Sequence, residues 1–464
     1  MTKKLSLSLC LISLLWLAAC ASPNHVIDEY QEYSEKHVQN KSSRTVVLFL
    51  VDGLPVSTIT EELTAGSLPE MHRFFVGDKK SIYQARSSFP SLTFPAIGSL
   101  LSQSSVDKHG IYGNLVLDDE DIVNYEDPQN FAKANARIQH ENVFSRLESR
   151  GYKTVSLDYS FNANAGVGVQ LADGNAAAAI FEKNYFYVDK SLLSSLEELL
   201  SKTKTEQWPD FIYVHLVGVD FTSHDQGPDS LQVRQYLQKL DHQLKDVFAL
   251  LTDAEKKHKR QIITMLTADH GFDQTITHNF DIERALQEAR IRILNEGRFA
   301  GLYFPRDWSQ DMRSTFLQEW ANKSEIDIVA SRSNDKVEIF RRKEISSFRY
   351  VMNALCPQQS FSLIVDDRPE RCVDHLDADS NQKFYPFFIS NLAHYFQADG
   401  HPDVVLIAKP GISFHANSGL GQHGGPTERE LFVPLLMRGS ELKDPSRIPS
   451  LSKLLEFMTI EEKK

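Results

Sequence analysis

The sequence predicts an α/β protein, a mostly parallel central sheet flanked by helices with an inserted accessory lobe. Three observations carry this prediction. Continuous β-rich apolar runs recur as "RTVVLFLV", "GYKTVSLDY", "DFIYVHLVGV" and "RQIITMLTA", the pattern of strands buried on both faces. Segments with helical apolar spacing, such as "SLQVRQYLQKLDHQLKDVFALL", separate them. Acids and histidines directly follow the runs, where ligands gather in open α/β sheets.

From the start of the chain, residues 1–19 carry Lys3 and Lys4, then an apolar stretch too short to span a bilayer comfortably, then small residues. This is the pattern of an export signal. Its ending, "LAAC", resembles a bacterial lipoprotein signal, which makes Cys20 the acylated new N-terminus. An ordinary cleaved signal with a chance cysteine is the alternative. Ala21 and Ser22 provide no acidic retention signal, so the resemblance implies a lipid anchor in the outer membrane, facing the periplasm. Residues 20–44 are polar without a sustained apolar period and read as a tether.

The main domain is expected over 45–445, followed by a tail over 446–464. With 41% hydrophobic and 24% charged residues, the chain has the composition of a globular protein with a sizeable core. A net charge of −12 without long single-sign runs argues against a nucleic-acid duplex as partner. Small or metal-bridged anions remain compatible with it. Residues 305–400 break the strand and helix rhythm and read as the insertion, with a hairpin pattern around "SND" in "IDIVASRSNDKVEIFRR". The late runs "VVLIA" and "LFVPLLMRG" read as further strands. Cys356 and Cys372 are expected to pair, because an exported chain sits where disulfides persist.

Four places draw attention. Asp52 ends the first run, Asp220 follows "FIYVHLV" with His224 four residues on, Asp269 and His270 follow "IITMLTA", and His423 lies in "GLGQHGG". Singly, a strand-end Asp is a common helix cap, and a lone His is commonly a satisfied polar residue. Jointly, three carboxylates and three imidazoles from separate strand ends suit zinc or a similar divalent ion. Thr93 stands in "LTFPAIG" before an apolar helical pattern, near a helix N-terminus that favours an anion.

The ordered set "VDG", "LTFPAIGSLLSQSSVDKHGI", "VDFTSHDQGP", "TADHGF" and "GQHGG" resembles the alkaline phosphatase superfamily, and within it the nucleotide pyrophosphatase/phosphodiesterase branch. The resemblance covers about residues 45 to 290 and 400 to 440. It implies two zinc ions, one held by Asp52, Asp269, His270 and the Thr93 oxygen, the other by Asp220, His224 and His423. It also implies that Thr93 attacks phosphorus and forms a phosphothreonine, which water then releases. The substrate class is a small phosphorylated molecule.

The branch usually reads Thr-Phe-Pro-Asn where this chain has Ala96, so a phosphoryl-contacting amide is missing and Asn114 is the candidate substitute. The Cys-x-Pro-x-Arg of formylglycine sulfatases is absent, and the export signal argues against a phosphoglycerate mutase. His109, His215, His278, His401 and His415 match no ligand motif and read as structural or surface residues. Two alternatives to a phosphodiesterase remain: a phosphomonoesterase of the same superfamily, and a catalytically weakened metal-binding envelope lipoprotein.

Overall fold

The computed structural model describes residues 24–37, 43–77, 82–139, 142–169, 182–274, 276–341, 344–352, 361–373, 385–440 and 448–458. Cys20 and Cys356 lie outside these residues, whereas Cys372 is disulfide-bonded.

A seven-stranded sheet forms the centre, in the order Ile82–Arg86, Phe432–Arg438, Gln261–Thr267, Arg44–Val51, Phe211–Leu216, Thr154–Leu157 and Val167–Gly168. The last five are parallel, and Phe432–Arg438 runs against its neighbours. The apolar runs take these places because helices cover both faces, so every side chain from Val46 to Val51 is fully buried. The amphipathic segment forms the helix Leu231–His258, whose Ser230 side chain accepts from the Val233 N–H. Its Val233, Leu237, Leu240, Leu244, Val247 and Leu251 form the buried stripe.

A second, wholly antiparallel sheet of eight strands packs beside the first. The hairpin around "SND" is present, pairing Ile326–Ser333 with Lys336–Arg341. The run "VVLIA" differs from its expected place. Val404–Ala408 lies in this second sheet, between Phe299–Tyr303 and Ile326–Ser333. A short apolar run marks a buried strand without saying in which sheet it is buried. The second sheet thus draws strands from both sides of the 305–400 segment.

The stretch read as a tether also differs. Asn24–Lys36 is a helix, with Val26, Ile27 and Tyr30 buried and the Tyr30 hydroxyl donating to the Gln207 carbonyl. Its three apolar contacts span little more than one turn, too little to register as a period. In the tail, Leu451, Leu454, Leu455 and Met458 are buried in the main core. No helix among the described residues is long and apolar enough to cross a membrane.

Candidate metal centre and nucleophile

Strand register assembles the site. Val51 pairs with Leu216 and Leu50 with Thr267, so three strands end at one level. The Asp52 N–H continues the ladder by donating to the Leu216 carbonyl at 2.9 Å. Asp220 and His224 lie on the helix Gly218–Gln226 that follows the second of these strands, one turn apart on the same face. Gly53 turns the first strand away with φ +65°. A Cβ there would stand 2.5 Å from the Phe272 ring and 2.9 Å from Asp220 Oδ1, so only glycine fits. The His423 loop docks on the end of the Asp220 helix, with the Leu420 N–H donating to the His224 carbonyl at 2.7 Å. At Gly421 a Cβ would lie 2.2 Å from the Ser223 carbonyl oxygen.

All seven sequence-derived residues meet here in two overlapping sets. Asp220 Oδ1 is 3.5 Å from His224 Nε2 and 3.6 Å from His423 Nε2, and these two nitrogens are 3.2 Å apart. His270 Nε2 lies 3.5 Å from Asp52 Oδ1, 3.2 Å from Asp269 Oδ2 and 3.2 Å from Thr93 Oγ1. For a tetrahedral ion with bonds of about 2.0–2.1 Å, neighbouring ligand atoms stand about 3.3–3.4 Å apart. The measured spacings fit such ions. Asp220 borders both sets, since one ligand atom each from Asp52, Asp220 and His270 also falls within a 4.8 Å span.

Protonation fits as well. Nδ1 of His224, His270 and His423 contacts the carbonyls of Gly421, Gly271 and Ser91 at 3.0, 3.1 and 3.0 Å. A carbonyl only accepts, so each Nδ1 carries a hydrogen and each Nε2 is the nitrogen turned to the site. Burial lowers His224 to about 4 and holds His423 well below its ordinary value, so both are neutral at pH 7. Burial, then the neighbouring carboxylates, raises Asp52 and Asp220 well above the usual range. Asp52 Oδ1, Asp220 Oδ1 and Asp269 Oδ2 are buried without a hydrogen-bond partner. Converging lone pairs and orphaned carboxylate oxygens are what a cation reconciles.

Thr93 opens the helix Thr93–Ser102 and makes no capping bond; Leu92 is the N-cap. Its half-buried hydroxyl is therefore free to face His270. Ala96 is fully buried in the main core. The amide beside Thr93 belongs to Asn114. Its Oδ1 accepts from the Phe94 N–H at 3.0 Å, and its Nδ2 donates to Glu126 Oε1 at 2.9 Å.

Sequence reading missed His215. It is buried, with Nε2 2.9 Å from Asp52 Oδ2 and Nδ1 3.4 Å from Asp158 Oδ2. Burial opposes its positive charge, but the Asp158 and Asp52 carboxylates prevail and raise it well above its ordinary value. The available signal was a lone histidine inside the apolar run "FIYVHLV", and an acid ending "TVSLD". Arg298 was missed too. It is fully buried, 2.9 Å from Asp273 Oδ2 and 3.1 Å from Glu430 Oε1. Glu430 also accepts from the Gly425 N–H at 2.8 Å, and the Gly425 carbonyl accepts from Ser91 Oγ at 2.6 Å. This network ties the second sheet to the loops bearing His270, His423 and Thr93.

A model of the type I phosphodiesterase/nucleotide pyrophosphatase family matches residues 46–428, which include every residue of the site. The chain belongs to this family. As a member it is a phosphoric-ester hydrolase, and its mostly parallel sheet flanked by helices is the fold of its structural neighbours.

Phosphonoacetate hydrolase from Sinorhizobium meliloti 1021, solved with phosphonoacetate, superposes with a TM-score of 0.59 at 14% identity over 90% of this chain and 96% of that one. Murine ectonucleotide pyrophosphatase/phosphodiesterase 5, as an inactive threonine-to-alanine variant with AMP, gives a TM-score of 0.58 at 13% identity over 90% and 95%. In sequence, the catalytic subunit of human GPI ethanolamine phosphate transferase 2 is 27% identical over 104 residues, 22% of this chain. The Schizosaccharomyces pombe GPI ethanolamine phosphate transferase 2 is 24% identical over 100 residues. These matches span only 10% and 13% of the two transferases.

Proposed function

We propose that the protein is a two-metal phosphodiesterase that works through a covalent phosphothreonine at Thr93. The observation that carries this reading is the 3.2 Å approach of Thr93 Oγ1 to His270 Nε2, whose own hydrogen is on Nδ1 and whose neighbours are Asp52 and Asp269. Asp52, Asp269, His270 and Thr93 would hold one divalent ion, and Asp220, His224 and His423 the other. The mixed oxygen and nitrogen donor set suits zinc. When bound, the ions lower the pKa of a hydroxyl and neutralise charge on the phosphoryl oxygens.

The chain's own residues supply the rest. Thr93 loses its hydroxyl proton and Oγ attacks phosphorus in line as the bond to the leaving oxygen breaks on the opposite side; the departing oxygen takes up a proton, and the phosphoryl group stays on threonine. Its position at the start of a helix places the transferring oxygens at the positive end of the helix dipole. Asn114 Nδ2 has a second hydrogen for the same charge, and the Phe94 and Glu126 contacts fix the amide's orientation. Water then adds to phosphorus, the Thr93–phosphorus bond breaks, and the hydroxyl is restored.

The substrate class is a small phosphorylated molecule, consistent with the phosphonoacetate and AMP bound in the two solved relatives. The lipid anchor at Cys20 and an outer-membrane location belong to the same proposal, tested by radiolabelled palmitate incorporation in wild type and Cys20→Ala. For the reaction, the test is hydrolysis of p-nitrophenyl phosphate against thymidine 5′-monophosphate p-nitrophenyl ester by the soluble domain. Diester turnover abolished by Thr93→Ala and by chelation supports the proposal. Monoester preference moves the assignment to a phosphatase, and turnover insensitive to both treatments overturns it.

A further inference from the structure

We infer that His215 is a positioning residue for the Thr93-side metal site: backed by Asp158, it holds Asp52 so that a single carboxylate oxygen faces His270. The inference rests on the two-metal reading above and adds how one of its sites is kept in shape.

The three carboxylates of the centre are not equivalent. Asp269 Oδ1, its second oxygen, accepts from the Gly53 N–H at 3.0 Å. Asp52 gives Oδ2 to an imidazole, His215 Nε2, at 2.9 Å. Rotation of the Asp52 carboxylate would break that contact, so Oδ1 is left as the ligand oxygen, buried and without a partner. His215 is fixed in turn. Its Nδ1 lies 3.4 Å from Asp158 Oδ2, and Asp158 Oδ1 accepts from the Ser160 N–H at 2.7 Å and the Ser160 hydroxyl at 2.8 Å. The relay runs through three neighbouring parallel strands, since Leu50 pairs with His215 and Leu157 with Val214.

A role in holding the strands together does not account for it. The backbone ladders already set that register, and a buried charged relay carries a desolvation cost that apolar side chains would avoid. What the relay provides is orientation of a ligand, as outer hydrogen-bond partners commonly do at metal sites.

The test is zinc titration of the metal-free soluble domain, with circular dichroism to verify folding, for wild type, His215→Leu, His215→Gln and Asp158→Asn. Wild type is expected to bind two ions. In His215→Leu one site is expected to keep its affinity while the other weakens about 10–100-fold or more, with partial recovery in His215→Gln, which restores a donor towards Asp52. Combined with His423→Ala, which removes a ligand from the other site, His215→Leu should leave no ion bound at concentrations where either single variant binds one. Where His215→Leu fails to fold, His215→Gln and Asp158→Asn are expected to weaken one site severalfold. Two unchanged affinities in a folded variant, or equal weakening of both sites, overturn the inference while leaving the metal centre intact. A wild-type chain that binds fewer than two ions overturns the metal reading and this inference with it.

Discussion

The Nε2 atoms of His224 and His423 face each other at 3.2 Å, and both rings give their Nδ1 hydrogen to a backbone carbonyl. Two neutral imidazoles in this pose direct lone pair at lone pair, an arrangement that a shared cation turns from repulsive to binding. Zinc at a hundredfold excess over its Kd should therefore stabilise the fold by about 2.7 kcal/mol per site. Asp52 and Asp220 add a pH signature. Their carboxyls are raised well above the usual range without metal, so the metal-free chain should lose stability as pH rises from about 4, and zinc should abolish that loss. Melting curves with and without chelator, at several pH values, measure both effects.

Thr93 reaches His270 with no capping bond to hold its hydroxyl back. Thr93→Ala should lower kcat/KM for a reactive diester by at least about 10^3-fold. Zinc content by plasma emission should stay at two per chain, because the remaining ligands of that site are intact. Loss of activity together with loss of one ion would assign Thr93 to metal binding alone.

Asn114 is oriented by bonds to the Phe94 N–H and to Glu126. Asn114→Ala should reduce kcat by about 10^2- to 10^3-fold, the cost of removing one transition-state donor, with KM changing much less. An effect confined to KM would mean that Asn114 contacts the substrate away from the reacting group.

Arg298 is fully buried between Glu430 and Asp273. Arg298→Met should destabilise the fold by about 3–5 kcal/mol, because two buried carboxylates lose their counter-charge. Urea unfolding measures this. A variant as stable as wild type would show that the two acids find another partner.

His109 offers a pH test remote from the metal residues. Its Nδ1 accepts from the Ile111 N–H at 3.1 Å, so Nε2 donates to Ser99 Oγ, and burial lowers the ring from 6.5 to about 3. Below pH 6.5 the unfolded chain takes up a proton that the folded chain refuses. Stability from this group is therefore complete above 6.5 and lost as pH falls towards 3, at about 1.4 kcal/mol per pH unit. The stability difference between wild type and His109→Gln should shrink by about 2 kcal/mol from pH 6.5 to pH 5. A constant difference contradicts the assignment.

The parallel strands and the convergence of the seven residues were legible because both obey local rules: an apolar run marks a buried strand, and polar residues gather where such a strand ends. What escaped needed contacts distant in sequence. Val404–Ala408 reads like any central strand until its partners Phe299–Tyr303 and Ile326–Ser333 are known. Arg298 looks like a surface charge until Glu430, 132 residues on, closes over it. His215 was visible as an anomaly in an apolar run, but its contact with Asp52 required the register that sets the two side by side. Ala96 marks a departure from the motif that the sequence alone leaves open. Its position is buried in the core, and the amide that bonds the backbone next to Thr93 is that of Asn114.

The most direct test of the central claim, that Thr93 is the nucleophile of a two-metal centre, is rapid-quench peptide mass spectrometry with the zinc-loaded enzyme and a reactive diester. The expected result is a substrate-derived phosphoryl adduct on Thr93 that forms and decays at rates compatible with turnover and is absent after chelation. Undiminished turnover with no adduct on Thr93, or with the adduct on another residue, would contradict it.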